Sequence, residues 1–149
     1  MSLFPTPARR ALLDQVAAGR VFRDAINDSY IRADRKVTAT IADLKQAGWV
    51  ELDRDRPGDY WRLTALGRAV HAVRLMDYGT HAVAETGPVD DPTVLGELSR
   101  DLWHLGRWTV EVGPNATSNL RRPAAVAALH RLAVQALVDL EHDALDGAA

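Results

Sequence analysis

The segment between Asp34 and Arg68 constrains the fold more than any other part of the sequence, because helix and turn signals follow one another closely there. Asp34 is a residue type that caps helices, and residues 35–47 carry apolar side chains at helical spacing. Gly48 would stop this helix, since glycine tolerates the left-handed conformation. The buried stripe of the predicted helix is Val37, Ile41 and Leu44.

A β-hairpin is predicted directly after this helix. Residues 49–53 and 60–63 favour strands, and the turn over residues 54–59 has a Pro-Gly corner. Thr64 can then cap a further helix, which we expect from residue 65 to at least residue 75. The central segment therefore predicts helix, hairpin and helix in close succession.

The first third of the chain gives a weaker pattern. Residues 8–18 predict a short helix that Thr6 caps and Gly19 ends, and residues 20–24 predict a short strand. Residues 25–33 combine an Asn-Asp-Ser turn signal with residues that suit either a strand or a helical turn. Both interpretations of this last segment stay open.

Two short motifs flank the predicted hairpin, Ala-Gly-Trp-Val at 47–50 and Leu-Thr-Ala-Leu-Gly-Arg at 63–68. Together they resemble the motifs around the wing of the winged helix-turn-helix transcriptional regulators of the MarR and PadR type, over about residues 8–76. The resemblance implies a cytoplasmic double-stranded DNA-binding regulator, a repressor that acts as a homodimer. It also implies that Gly67 lets its helix lie close to a neighbour. The first helix of the family motif would fall on residues 25–33, where a hairpin or loop is the alternative.

The predicted helix over residues 35–47 would then be the recognition helix, whose polar face enters the major groove. Arginine and lysine can grip phosphate or read guanine, and a small alanine allows close approach. Two arginines at the hairpin tip suit a wing on the DNA backbone or minor groove, while Asp53, Asp55 and Asp59 dilute the positive charge. An ordinary solvated surface is the alternative. The candidate DNA-binding residues are Arg35, Lys36, Thr38, Ala39, Thr40, Arg54 and Arg56, with Arg9, Arg10 and Arg32 as weaker phosphate ligands.

The charge is unevenly distributed along the chain. Residues 1–74 contain 13 Lys and Arg against 9 Asp and Glu, whereas residues 75–149 contain 5 against 11. The formal net charge of −2 therefore hides a basic first half and an acidic second half. This asymmetry favours a nucleic-acid surface on the first half and another task for the second, with chance segregation as the alternative.

Loop chemistry at residues 85–92 predicts a boundary between a winged-helix domain, residues 1–84, and a helical C-terminal region, residues 85–149. We expect one helix there from Pro92 to Gly106, with Asp91 as its cap.

Further along, Trp108 to Val112 has a strand-like bias, with an extension of the preceding helix as the alternative. A long apolar helix is predicted from residue 122 or 123 to about 145. This last helix favours a homodimer, while covering its own core is the alternative. The predicted fold class is mainly α with a small β-hairpin wing (α+β): a winged helix-turn-helix domain plus a C-terminal helical dimerisation region.

Several functional classes find no support in the sequence. The absence of cysteine excludes disulfides and thiolate metal sites, and the five histidines lack metal-binding spacing. Catalytic motifs are absent as well, so we expect no enzyme, no cofactor and no metal. No apolar run suggests a membrane span or signal peptide, and no membrane partner is expected. A winged-helix protein-interaction module without DNA binding and a ligand-responsive regulator, with an effector pocket near Trp103 and Trp108, are the alternative functions.

Overall fold

The computed structural model describes residues 3–32 and 34–147. Over these residues the chain forms four helices and ten strands, and the strands make three antiparallel sheets. With 38% helix and 30% strand, the fold is α+β. The prediction of a mainly α fold with one small hairpin is therefore wrong, because strands occupy much of the region expected to be helical.

The contacts divide the chain into two units, unit 1 (Met1–His71) and unit 2 (Ala72–Ala149). The loop signals predicted a boundary between residues 84 and 85, which falls inside the second strand of unit 2, Ala82–Thr86. In chain order, the elements of the first part are α1 (Pro7–Ala17), β1 (Val21–Arg23), β2 (Ser29–Ile31), β3 (Arg35–Lys36), α2 (Thr38–Gln46), β4 (Val50–Leu52), β5 (Trp61–Leu63) and α3 (Ala65–Ala72).

The strands of unit 1 form a three-stranded sheet in the order β1-β2-β3 and a separate β4-β5 hairpin. A single bridge between Phe22 and Tyr60 joins β1 to β5. The indole N–H of Trp61 donates to the hydroxyl of Ser29 over 3.0 Å, which ties β5 to β2 inside the core. The largest buried side chains around them include Leu12, Leu13, Val16, Val21, Ile41, Leu44 and Val70.

The glycine and threonine signals of unit 1 are confirmed. Thr6 accepts a hydrogen bond from the backbone of Arg9 at the start of α1, and Thr64 accepts one from the backbone N–H of Gly67 over 3.0 Å. Gly48 has a φ of +78° at the end of α2. A Cβ on Gly67 would lie 1.8 Å from the carbonyl oxygen of Trp49, so α3 approaches its neighbour as closely as expected.

The predicted start of the second helix is wrong. Arg35 and Lys36 form the short strand β3 opposite β2, so α2 begins only at Thr38 and Val37 is its N-cap instead of Asp34. Pairing with the β2 backbone satisfies groups that a helix would have satisfied internally. Ile41 and Leu44 are buried as predicted, while Val37 is half-buried.

Residues 25–32 contain a turn and strand β2, which is the hairpin alternative; Ala33 lies outside the described residues. The carboxylate of Asp24 accepts hydrogen bonds from the backbone of Ile26 and Asp28, and Asn27 takes a positive φ of 66°. Such aspartate turns compete with helix formation. Between β1 and α2, the described residues therefore contain no helix.

Unit 2 is a five-stranded antiparallel meander covered on one face by a long helix. Ala84, Leu98 and Val110 are fully buried on three neighbouring strands, and Leu129 and Ala133 of the helix are fully buried as well. The elements are β6 (Arg74–Asp77), β7 (Ala82–Thr86), β8 (Thr93–Arg100), β9 (Trp108–Val112), β10 (Asn115–Leu120) and α4 (Arg122–Gly147).

The predicted helix over residues 92–106 is wrong, because β8 and a loop occupy this range. The apolar residues that suggested it do not share a face: Leu98 is buried, whereas Leu102 and Leu105 are exposed. Gly96 suits a strand packed tightly on β9, since a Cβ there would lie 2.6 Å from the carbonyl oxygen of Glu111.

The helix predicted to reach at least residue 75 instead ends at Ala72, where β6 follows. The strand predicted at Trp108–Val112 and the long last helix are confirmed. By length and its mean hydropathy of 1.2, α4 would suit a membrane span, but its first half packs on the sheet as core helices do.

Candidate nucleic-acid interface

Helix α2 presents a mixed outer face. Ala39 is exposed and Thr40 half-buried, followed by the exposed Asp43 and Gln46. The hydroxyl of Thr38 is engaged internally, because it accepts from the backbone N–H of Ser29 over 2.9 Å and donates to a carboxylate of the neighbouring turn. Of the three candidates on α2, Ala39 and Thr40 therefore remain available for a partner, while Thr38 holds the helix to β2.

The candidates Arg35 and Lys36 lie on β3 rather than on a recognition helix. The ammonium group of Lys36 forms an ion pair with Asp28 at 3.2 Å, although the side chain stays 59% exposed. Arg35 is exposed and has no ion pair with any described residue. The two neighbouring cations thus differ in how much of their charge is already compensated.

The two hairpin-tip arginines also differ. The guanidinium of Arg56 folds back over the ring of Tyr60, 3.5 Å from its centroid, and donates to the carbonyl oxygen of Gly19 over 2.9 Å. Neither contact neutralises its charge. Arg54 is exposed at the tip and forms no ion pair within residues 3–32 and 34–147.

One of these two arginines, Arg56, lies together with three others at one end of the sheet. The backbone N–H of Arg32 donates to the carbonyl of Arg20 over 3.4 Å, and Arg35 lies on β3 opposite Ile31. Because Arg56 reaches the carbonyl of Gly19, its guanidinium belongs to the same end. We call this group the arginine end: Arg20, Arg32, Arg35 and Arg56.

Most of the paired carboxylates of unit 1 lie on the hairpin or at the opposite end of the sheet. Asp59 pairs with Arg23 at 3.1 Å. Arg62 bridges Glu51 at 3.1 Å and Asp53 and Asp55 at 3.3 Å each, and the hydrogen bond that Arg62 donates to Glu51 raises the pKa of Arg62. The acidic residues expected to dilute the hairpin charge are therefore compensated by internal partners.

A shallow cleft of about 340 Å³ lies beside α2 in unit 1. Its lining includes Arg23 and Lys45 together with the Ser29–Trp61 pair on the floor. The predicted effector site lies elsewhere: Trp103 is 89% exposed, and Trp108 is half-buried with Arg122 stacked at 4.2 Å from its ring. A side chain as exposed as Trp103 does not line an enclosed pocket.

The structure thus separates the predicted site residues into two groups. Arg35 and Arg56 lie at the arginine end, while Lys36 and Thr38 lie toward the opposite end of the sheet. Sequence reasoning missed Arg20. The signal was present in the hairpin alternative for residues 25–33, because antiparallel pairing of that segment with residues 20–24 sets Arg20 beside Arg32.

Comparisons with protein-family models, with curated proteins and with solved structures found no match to this chain.

Proposed function

We propose that unit 1 binds double-stranded DNA and that the chain is a transcriptional regulator of the repressor type that works as a homodimer. The observation that carries this proposal is the arginine end. The backbones of three exposed arginines and the guanidinium of Arg56 meet there, and none of the four side chains has a carboxylate partner among the described residues. Uncompensated arginines grouped on one surface are the usual electrostatic footprint of a phosphate-binding site.

The geometry suits a backbone contact. Arg20 directly precedes β1, Arg32 directly follows β2 and Arg35 begins β3, so the three lie at the ends of neighbouring strands, which are about 4.8 Å apart. Phosphates follow one another along a DNA strand at a comparable scale, about 6–7 Å, given one charge per 3.4 Å of axis and the helical rise. A row of arginines at this spacing can therefore contact several phosphates at once.

Base recognition would come from the exposed face of α2. Ala39 is small and exposed, and Thr40 and Gln46 can donate and accept hydrogen bonds at base edges. This assignment rests on the resemblance to winged-helix regulators, in which the helix before the hairpin enters the major groove. Phosphate contacts supply affinity and the α2 face supplies specificity in this proposal.

A matched pair of double variants tests which end binds DNA. We expect Arg20→Ala with Arg35→Ala to weaken binding to a labelled duplex by about tenfold at low salt, and to reduce the salt-dependence slope by about 2. Lys36→Ala with Arg54→Ala removes the same number of charges outside the arginine end. It should weaken binding by no more than about twofold. Fluorescence anisotropy over a salt series measures both quantities.

Unchanged binding in the Arg20/Arg35 variant would overturn the arginine end as the DNA site. Strong loss in the Lys36/Arg54 variant alone would move the site to the hairpin tip and the start of α2. Absence of duplex binding by the unaltered protein, at low salt and with random-sequence DNA, would overturn the function itself.

The homodimer would use the end of α4. Beyond Val134 the helix carries the exposed side chains of Leu140 and Leu145, which are 60% and 67% exposed. Apolar side chains left on an extended helix suit pairing with a second copy. Leu140→Asp with Leu145→Asp should convert the dimer into a monomer in sedimentation velocity, whereas deleting all of α4 would also remove the buried Leu129 and Ala133 from the core.

An interaction module without DNA binding is the second candidate. It is favoured by the carboxylates of the hairpin turn, where the side chains of Asp55 and Asp59 are 90% and 51% exposed. A basic protein partner would dock there. Loss of DNA binding on arginine substitution separates the two candidates, because this partner would be unaffected by the arginine end.

A further inference from the structure

The loop between β8 and β9 exposes three large apolar side chains together. Leu102, Trp103 and Leu105 are 92%, 89% and 103% exposed, respectively. Soluble proteins rarely present large apolar side chains in a contiguous group without a partner for them. We call residues 101–107 the Trp103 tip.

The Trp103 tip is a structured loop. The side chain of Asp101 is only 2% exposed, and one of its oxygens accepts from the backbone N–H groups of Trp103 at 2.8 Å and His104 at 3.1 Å. Its other oxygen accepts from the backbone N–H of Asn119 over 2.8 Å, which ties the loop to β10. Gly106 takes a φ of +73° at the turn. The fold therefore holds the apolar side chains outward.

The meander collects positive charge around this tip. Arg100 ends β8, Arg107 precedes β9 and Arg121 follows β10, so all three lie at the same end of the sheet. In the part of the chain that the structure describes, none of them forms an ion pair. The carboxylates at this end are engaged, because Asp77 bonds Arg122 and Asp101 is bound by the loop.

The opposite end of the meander has the reverse character. The β7–β8 turn there carries Asp90 and Asp91, and its one large exposed apolar side chain is Val89. Unit 2 is acidic as a whole, so the arginines are concentrated where the apolar side chains are. Tyr78, 57% exposed in the β6–β7 turn, adds an aromatic ring to the same end as the Trp103 tip.

We propose that the Trp103 tip docks on the surface of an anionic lipid bilayer. Leu102, Trp103 and Leu105 would enter the interfacial region, where tryptophan and leucine are favoured, while the arginines meet anionic headgroups. The expectation of no membrane partner rests on the lack of a spanning run and does not concern a peripheral contact.

Charge distinguishes this occupant from a second copy of the chain. A two-fold self-contact places the same patch on both partners, so the three arginines of one copy would face those of the other. An anionic surface turns the same charges into an attraction. Duplex DNA is also anionic, but it accepts apolar side chains only as wedges between base steps, and a flat bilayer can receive all three together.

Vesicle co-sedimentation with the full chain tests the proposal. We expect binding to phosphatidylcholine vesicles that contain phosphatidylglycerol and little binding to phosphatidylcholine alone. The triple variant Leu102→Ser, Trp103→Ser, Leu105→Ser should lower the partition coefficient by about tenfold or more. Val89→Ser, which removes an exposed apolar side chain at the opposite end, should leave partitioning unchanged.

Three results would overturn the proposal. The first is equal sedimentation of the wild type and the triple variant with anionic vesicles, including no sedimentation of either. The second is a wild type whose self-association is abolished by the triple substitution without any vesicle binding, which would assign the tip to a second copy. The third is loss of duplex binding in the triple variant with vesicle binding unchanged. A blue shift of the tryptophan fluorescence on addition of anionic vesicles would support insertion of the Trp103 ring, provided that the shift is lost in Trp103→Phe.

Discussion

Units 1 and 2 each group arginines at one end of an antiparallel sheet, but only the group in unit 2 surrounds exposed apolar side chains. At the arginine end the neighbouring aromatic rings, Phe22 and Tyr60, are half-buried. At the Trp103 tip, Leu102 and Leu105 are almost fully exposed. Both groups attract anions, so the apolar content decides what kind of anionic surface each one suits. We therefore propose the phosphates of a duplex as the ligand of unit 1 and a bilayer as that of unit 2.

The largest effects are expected when each unit is disrupted separately at a glycine. In Gly67→Ala the new Cβ would lie 1.8 Å from the carbonyl oxygen of Trp49. The nearest atom belongs to the backbone and cannot swing aside, so we expect a loss of about 3 kcal/mol or more in unfolding free energy. Duplex binding should then disappear while vesicle binding persists.

Gly96→Ala is the reciprocal change in unit 2, because its Cβ would lie 2.4 Å from Val112 and 2.6 Å from the carbonyl oxygen of Glu111. It should abolish vesicle binding and spare duplex binding. Denaturant unfolding, together with the two binding assays, measures the result. If either variant lost both activities together, the two surfaces would not act separately.

These glycines also show what could be predicted from the sequence. Gly48 and Thr64 act on the ends of the helices beside them in the chain, and the motif around Gly67 indicated a close approach to a neighbour, so the roles of all three were predicted correctly. The helix expected over residues 92–106 failed because its spacing pattern matched a helix by coincidence. Thr93 and Val94 are β-branched and Gly96 disfavours a helix interior, so local propensity already opposed it.

A second prediction converts the Trp103 tip into a purely basic surface. Leu102→Lys with Leu105→Lys keeps the loop and its arginines but removes two apolar side chains. We expect partitioning into anionic vesicles to fall by about tenfold, because the contact loses apolar insertion. Binding to a random duplex at low salt should rise, because two cations are added. An unchanged or stronger vesicle interaction would mean that charge alone drives the contact. The apolar side chains would then not distinguish the Trp103 tip from the arginine end.

A third prediction concerns the order of the tip. Asp101→Asn keeps one carbonyl oxygen for the N–H groups of Trp103 and His104 but can direct an amide N–H at the N–H of Asn119. The loop should loosen, and vesicle partitioning should fall by about threefold as preorganisation is lost. Amide hydrogen exchange at residues 103, 104 and 119 measures the loosening. Protection equal to the wild type would show that Asp101 does not hold the loop.

The order of the Trp103 tip should also depend on pH, because the carboxylate of Asp101 holds the loop. Hydrogen bonds from the backbone of Trp103 and then of Asn119, with a smaller contribution from His104, lower the pKa of Asp101 from 3.8 to about 2. A lowered pKa means that the carboxylate stabilises the folded loop above pH 3.8 and stops doing so as the pH falls through about 2. The chemical shifts of the three amides should therefore change between about pH 4 and 2 in the wild type but not in Asp101→Asn.

Only part of the candidate site could be predicted from the sequence, because the pairing of strands brings together residues that are distant in the chain. Arg35 and Arg56 were identified as basic residues at expected positions, but their convergence depends on β1 pairing with β2 and on Arg56 folding over Tyr60. Arg20 was missed because its neighbour Arg32 lies twelve residues away in sequence. The Trp103 tip was missed for the opposite reason, since apolar residues in sequence are assumed to be buried until a fold shows otherwise.

The smallest expected effect concerns the hairpin carboxylates and their influence on duplex binding by unit 1. Arg62 bonds Glu51, Asp53 and Asp55, and its own side chain is 41% exposed. Exposed ion pairs stabilise little, so Arg62→Ala should cost less than about 1 kcal/mol of stability. Three hairpin carboxylates, among them Asp55 next to Arg56 in the chain, would nevertheless lose their cation. Duplex binding should therefore weaken by about twofold at low salt, and the difference from wild type should shrink as the salt concentration rises. Vesicle binding, measured in parallel, should not change. A loss of duplex binding much larger than twofold would place the hairpin itself in the DNA contact.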